Sequence, residues 1–408
     1  AKNFVQNELS QPEFDGKKYI LPMHTPKNID EYQNWGYTVY ARKDILETLN
    51  VDASQVNTSE KVYELAKKIN EGGFVDINGN AIIPASCWAY GYGAECYMNS
   101  FKTRGFTEVV NKGDHYEWSA FQSNVDDEVK FMQKMVSEGL FDKTAFSHNE
   151  TTALSKHVTG GVGLTATQYP YLKKNLKNTL YATNPEMEYV PLGPILDANG
   201  NRYMPNTLYE EGGYYGFAVL TITKDCKPEK REALMKYLNF INSDEGKLLA
   251  YLGEEGVDYT VSDNGEYCMT ADFFAKEKAD PNYAYNQGID TYFTFGVSRV
   301  PFNTFDAARE ETPDKTYAAV KAMYPVKEVK GTRASAWDEE FADIDYLHGI
   351  LETVDYTLTM QSAYCADTQA EALKKLEDYR QAINTKGYLQ KYLEWLFAKI
   401  GNRTDILY

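Results

Sequence analysis

Long apolar runs are missing from this sequence. The hydrophobic stretches it has are broken within a few residues by charged or polar residues, Gly or Pro, which excludes a membrane-spanning helix of the roughly 20 residues a bilayer demands. Cysteine is sparse: Cys87, Cys96, Cys226, Cys268 and Cys365 show no CxxC or CxH spacing and read as buried or idle thiols, not metal or redox ligands. A single Cys87–Cys96 bridge is compatible with an exported chain, but nothing in the spacing demands it. Positive charge is short too, with 42 Lys and Arg against 59 Asp and Glu and a net charge of −17. Such a surface repels phosphate backbones and anionic lipid, so no nucleic-acid partner is expected.

Catalytic signatures are equally thin. His24, His115, His148, His157 and His348 are scattered without HExxH or an i, i+4 pair, and neither GxxxxGK[ST] nor GxSxG occurs, so no metal, cofactor or catalytic residue is assigned. The doublets Asp126-Asp127-Glu128, Glu210-Glu211, Glu254-Glu255 and Glu339-Glu340 are the material for an acid–base pair. Adjacent helical residues point in different directions, and such runs read as solvated faces and turns. A glycosidase pair can lie far apart in sequence, so a secreted glycosidase or lyase stands as the alternative to a binding protein. A surface glycan adhesin is a third reading.

What the chain has in quantity is aromatic surface: 33 Tyr, 19 Phe and 5 Trp. Flat rings with polar tips suit sugars, whose C–H patches stack on rings and whose hydroxyls seek donors and acceptors. At 408 residues the chain exceeds one comfortable core, so two lobes are expected. Strands are predicted at Lys17–Pro22, Tyr37–Tyr40, Gly160–Ala166, Glu188–Leu192 and Tyr214–Ile222. Helices are predicted from Asn57-Thr58-Ser59-Glu60 to Gly72, from Val125 to Gly139, from Pro228 to Ile241, after Ser243 to Gly253, from Thr368-x-x-Glu371 onward, and over Leu389–Ile400. The segment from about 258 to 333 reads as loop-rich. Alternation of strands and helices gives an α/β fold class with partly parallel sheets. Asp76-Ile77-Asn78-Gly79-Asn80 and Asp197-Ala198-Asn199-Gly200-Asn201 resemble cation loops but lack a closing acid, and read as Asn-Gly turns.

Several segments together resemble the family 1 extracellular solute-binding proteins of ABC importers, related to maltose-binding protein, in the large lipoprotein branch linked to oligosaccharides. Tyr40 to Leu49 followed by Thr58 to Tyr63 is similar to that family's "RKDxLxxLG" and "T-W-D-E-F" elements. Lys130 to Asp142 resembles its "E-G-L-I-D" run. Pro185 to Pro194 with the Asp197 turn resembles its "P-P-L-x-G" stretch, and Tyr237 to Gly246 with Gly253 to Tyr259 its "F-x-x-S-x-E-G … G-x-E-G-x-x-Y".

The resemblance implies a two-lobed periplasmic-binding-protein-like fold with an interlobe ligand cleft and hinge crossings near Leu21–His24 and Gly212–Gly216. The boundaries expected are 1–24 for the end of the first lobe, 25–211 for the second, 212–305 for the hinge return and first lobe, and 306–408 for a helical segment packing mainly on the second. The family's opening strand and helices have no counterpart before Lys17, so the first lobe is expected to begin upstream. Implied partners are a carbohydrate and the permease subunits of an ABC transporter. The implied setting is the outer face of the cytoplasmic membrane, through a lipid anchor upstream of this chain, as a monomer without cofactor. Carried over by position, the cleft candidates are Trp35, Tyr37, Trp88, Tyr90, Tyr92, Tyr169, Tyr171, Glu211, Tyr214 and Tyr215. Trp88-Ala89-Tyr90-Gly91-Tyr92-Gly93 is the strongest of these, read as an extended segment with its rings on one side and Gly giving access.

Overall fold

The computed structural model describes residues 13–14, 17–18, 20–22, 36–101, 109–200, 208–209, 219–289, 305, 308–311, 314–323, 327–328, 361–385 and 389–400. The chain divides into two compact units, one of Ala1–Asn34, Leu208–Lys315 and Val326–Asp343, the other of Trp35–Thr207, Thr316–Pro325 and Ile344–Tyr408.

The second unit is built on a four-stranded sheet in the order β2-β3-β1-β4, with β1 Thr38–Arg42, β2 Ile83–Cys87, β3 Val162–Thr167 and β4 Tyr189–Pro191. β2 and β3 run parallel, with Ile83 opposite Val162 and Cys87 opposite Ala166. β1 is antiparallel to both neighbours, pairing Thr38 with Thr167 and Arg42 with Tyr189. One end of the sheet therefore gathers the C-terminal ends of β2 and β3 and the start of β1. Every residue of β1 and β3 is buried, which is why these strands do not alternate apolar and polar residues.

Arg42 closes the opposite end. It is 2% exposed, and its guanidinium donates to Gly160 O at 2.5 Å, to Val75 O at 3.0 Å and to Asp44 at 2.5 Å. A planar fork with five donors can serve three acceptors at once, which an ammonium could not do in the same plane.

Helices cover the sheet where the sequence carries start and stop signals: α1 Lys43–Thr48, α2 Ser59–Glu71, α3 Val125–Ser137, α4 Glu150–Val158, α5 Tyr169–Leu176, α6 Gln369–Thr385 and α7 Leu389–Ile400. Thr58 caps α2 by accepting from Lys61 N at 3.3 Å, and Thr368 caps α6 by accepting from Glu371 N at 3.2 Å. Val62, Leu65, Ala66 and Ile69 of α2 and Val129 and Met132 of α3 enter one core with Leu376 of α6. α6 is fastened by Arg380, which reaches Asp126 and Ala120 O, both at 2.8 Å.

In the first unit, Pro228–Ile241 and Asp244–Leu252 are helices, the second capped by Ser243 accepting from Gly246 N at 3.0 Å. Ile20–Pro22 pairs antiparallel with Val219–Thr221. The segment expected to be loop-rich over 258–333 also holds regular elements: Tyr259–Val261 and Tyr267–Met269 form a hairpin and Ala271–Ala279 a helix, while Lys315–Met323 is a helix that from Thr316 on belongs to the second unit. Thr270 caps the first of these helices from Phe273 N at 3.1 Å. That cap is a weak signal among so many Gly, Asn and Asp residues, and burial of Phe273 in the unit's core decides the structure.

The acidic run at α3 also departs from expectation. Asp126 and Asp127 face outward to Arg380 and Lys130, but Glu128 is fully buried. The helical turn that sends its two neighbours to solvent sends Glu128 inward.

Candidate ligand site

The end of the sheet where β2 and β3 finish collects most of the described aromatic candidates. β2 runs directly into Trp88, whose N–H is shared between Tyr92 O at 3.0 Å and Ala166 O at 3.2 Å. Between them Ala89–Gly91 makes a tight 3-10 turn, with Tyr90, Gly91 and Gly93 all at positive φ (57°, 80° and 91°). A Cβ on Gly93 would stand 2.5 Å from Ala166 O, so only glycine brings this loop onto the end of β3. The extended segment expected here is therefore a curl, and its rings do not share a side. Trp88 is 4% exposed, whereas Tyr90 is 60% and Tyr92 40% exposed. Trp88 forms the floor, stacked on Tyr171 at 6.1 Å and against His157 at 5.0 Å; Tyr90 and Tyr92 stand at the surface.

β3 runs into α5 through Gln168, and Pro170 in the first turn of α5 supplies the preset φ of a helix start. Tyr171 is half-buried beside Trp88. Tyr169 turns the other way, 5% exposed, stacking on Tyr317 at 5.6 Å. Tyr37, one residue before β1, is 1% exposed and meets Tyr92 edge to face at 5.2 Å. The Gln168 amide joins these parts, donating to the Tyr37 hydroxyl at 2.7 Å and the Tyr92 hydroxyl at 2.9 Å. Burial first, then Tyr171 and Glu95, raise the Tyr92 phenol above its ordinary range, so it stays neutral. The structure thus brings together Tyr37, Trp88, Tyr92 and Tyr171 with Tyr90 at the rim, and places Tyr169 in a separate packing cluster. Trp35, Glu211, Tyr214 and Tyr215 lie outside the described residues.

A polar layer supports the loop from below. Lys156 reaches Asp142 at 2.6 Å, Thr144 at 2.9 Å and His148 at 3.2 Å, and Tyr90 N donates to His148 O at 3.0 Å. Burial, then the Lys156 cation, lowers the pKa of His148. Burial pushes His157 down to about 4, so its ring is neutral at ordinary pH. With Ala153 O at 2.7 Å able only to accept, His157 Nδ1 donates there and Nε2 accepts from the Thr165 hydroxyl at 2.8 Å. Both imidazole nitrogens are committed to holding α4 on β3. Sequence reasoning named the rings as site residues but gave no such role to Gln168, Asp142, Lys156 or His157.

The two oxygen-rich turns are closed on themselves. Asp76 accepts from Asn78 N and Asn80 N, both at 2.8 Å, and Asp197 from Asn199 N at 2.7 Å. Cys87 and Cys96 are free, and burial raises both thiols. Flat rings over an apolar floor, with phenol tips, can stack on C–H surface and exchange hydrogen bonds with hydroxyls.

No family model matches the sequence, and no curated protein matches it. Solved structures do share the fold. The alginate-binding protein AlgQ2, in a structure without calcium ion, aligns over 94% of this chain and 75% of its own at a TM-score of 0.62 and 18% identity. An HMO-binding, ABC-transporter-associated solute-binding protein from Bifidobacterium longum infantis aligns over 97% and 79% at 0.58 and 14%. The ABC-transporter substrate-binding protein FusA of S. pneumoniae, in complex with kestose, aligns over 97% and 78% at 0.58 and 16%. At these identities the likeness establishes a mixed α/β fold of the solute-binding-protein kind, and function must be argued from the site.

Proposed function

We propose, from this shared fold and the aromatic end of its sheet, that the chain captures an oligosaccharide without altering it and delivers it to an ABC-importer permease. The observation that carries the reading is the cluster of Tyr90, Tyr92 and Tyr171 over Trp88 and Gln168, placed where β2 and β3 end. Ligands of α/β sheets lodge outside the carboxyl ends of parallel strands. A sugar there would stack on exposed ring faces and bond to the phenol tips. The setting is the outer face of the cytoplasmic membrane, with attachment by a lipid anchor and a monomeric receptor. Among the described residues no helix is long and apolar enough to cross a membrane.

Binding without turnover is supported by the solved structures named above, all of them of binding proteins. The chemistry agrees: His157 is held neutral between two partners, and Asp142 is occupied by Lys156.

The test is a thermal-shift screen with kestose, a Man5GlcNAc glycan and an alginate oligosaccharide, followed by chromatography of each incubated glycan. Binding to the native state alone at a hundredfold excess over Kd stabilises by about 2.7 kcal/mol, so a binder raises Tm while its glycan is recovered intact. Turnover of any glycan would replace the receptor reading with an enzyme.

A further inference from the structure

We infer that Gln168 fixes the hydrogen-bond polarity of Tyr92, holding its hydroxyl as a donor toward an acceptor oxygen of the bound sugar. The inference rests on the carbohydrate reading above and adds to it a positioning residue and the kind of atom the site selects.

Gln168 occupies the N-cap of α5, a place where Ser, Thr, Asp or Asn would serve the helix. Its side chain makes no capping bond. It spans instead to two phenols 131 and 76 residues away in sequence, and is 7% exposed. An amide NH2 has two protons, and both are committed, one to each phenol oxygen. A phenol oxygen that accepts from the amide keeps its own proton for another acceptor. Tyr37 is buried with its proton inside the protein. Tyr92 is 40% exposed, so its proton is the one available to a ligand, and the edge-to-face contact with Tyr37 holds the ring while it is offered.

The two orientations of the amide differ in what each leaves unmet. As placed, the Gln168 carbonyl oxygen is buried without a hydrogen-bond partner, as is the neighbouring Thr167 hydroxyl. Turning the amide over would give that oxygen two phenol donors, but would strand two N–H donors in its place and consume the Tyr92 proton. As placed, the carbonyl oxygen and the buried Tyr37 proton are unmet, against two amide protons if turned; the placed amide is the one that leaves the Tyr92 proton free. The groups that titrate around this point are Tyr37 and Tyr171 beside the phenol and Glu95 on the following turn. Asp142, His148, Lys156 and His157 lie below the floor.

Gln168→Glu inverts the polarity at near-constant shape. Its carboxylate accepts hydrogen bonds from both phenols, so the Tyr92 O–H is no longer offered to a ligand, whereas the protonated acid can donate again. Two experiments test this. The first needs no ligand: a double-mutant cycle of Gln168→Leu and Tyr92→Phe read by urea denaturation. Non-additive losses are expected, and strict additivity removes the contact on which everything rests.

The second is calorimetric titration with kestose, Man5GlcNAc and the alginate oligosaccharide, with each variant expressed as a ratio to wild type at each pH. Tyr92→Phe is expected to bind about tenfold more weakly. Gln168→Glu should show the same loss near neutrality and regain affinity as the pH falls, while Gln168→Leu should lose affinity at every pH. A Gln168→Glu variant that binds as wild type throughout would show that the amide oxygen faces the phenols, and the proposal fails. If none of the three glycans binds wild type while the ligand-free cycle is non-additive, the carbohydrate reading fails and the donor role with it, leaving Gln168 as a structural brace.

Discussion

Glu128 is the carboxyl whose removal says most about how the second unit is held together. It lies in the first turn of α3 with no exposed surface, and the Tyr364 hydroxyl beside its carboxyl favours the anion. The positive end of the helix favours an anion at that turn, yet burial outweighs it, and Glu95 adds repulsion, so the carboxyl is pushed well above its usual range. The folded chain keeps the proton to higher pH than the unfolded chain does. Below about pH 4.5 both states are protonated and Glu128 adds nothing to the pH dependence. Above it unfolding releases a proton, and stability falls by about 1.4 kcal/mol per pH unit until the folded pKa is reached. Glu128→Gln keeps the shape and removes the ionisation. We expect urea denaturation, followed by the fluorescence of Trp88 and Trp118 in that unit, to give similar stabilities near pH 4. The variant should then pull ahead as the pH rises toward 7. Parallel pH curves for the two proteins would mean that Glu128 is ionised or solvated in the folded state, and the reasoning would be refuted.

Trp88→Ala should cost roughly 3–5 kcal/mol, because a buried ring stacked on Tyr171 is lost. Tyr90→Ala, at an exposed rim, should change stability by less than about 0.5 kcal/mol while weakening glycan binding in calorimetry. Gly93→Ala should destabilise by about 3 kcal/mol through its clash with Ala166 O, against about 1 kcal/mol at Gly79, where the positive φ of 79° is the only penalty and the space is open. Asp142→Asn addresses the acid limb. Burial raises this carboxyl, but the hydrogen bonds from Lys156 and Thr144 outweigh it and hold the pKa below the ordinary value. The stability it confers is present above about pH 4 and lost as the pH falls through the folded pKa. The variant should therefore be weaker at neutrality and converge with wild type in acid.

The sequence was most legible where the deciding interaction is local. Thr58, Ser243, Thr368 and Pro228 mark helix starts through contacts within a turn. β2 was not legible: Ile-Pro-Ala-Ser-Cys has little strand character and becomes a strand because its place beside β3 is buried. At the site the ring types were readable and their arrangement was not. Alternation of Trp88, Tyr90 and Tyr92 implied one face, but the positive φ at Tyr90 is set by contacts with His148 and β3. Pro170 could have located Gln168 as a helix start. Nothing nearby in sequence announces that its amide serves two distant phenols.

The loop that carries Tyr90 and Tyr92 is fastened by its backbone, through Trp88 to Ala166 and Tyr90 to His148, and by a glycine seated on β3. None of those ties involves the exposed ring of Tyr90. Side chains at the rim can therefore be exchanged while the frame beneath keeps its shape, so a change of preference at the proposed site need not cost the fold. Relatives of this chain are then expected to diverge first at the outer ring, with Gly93, Trp88 and the His157–Thr165 brace retained beneath it.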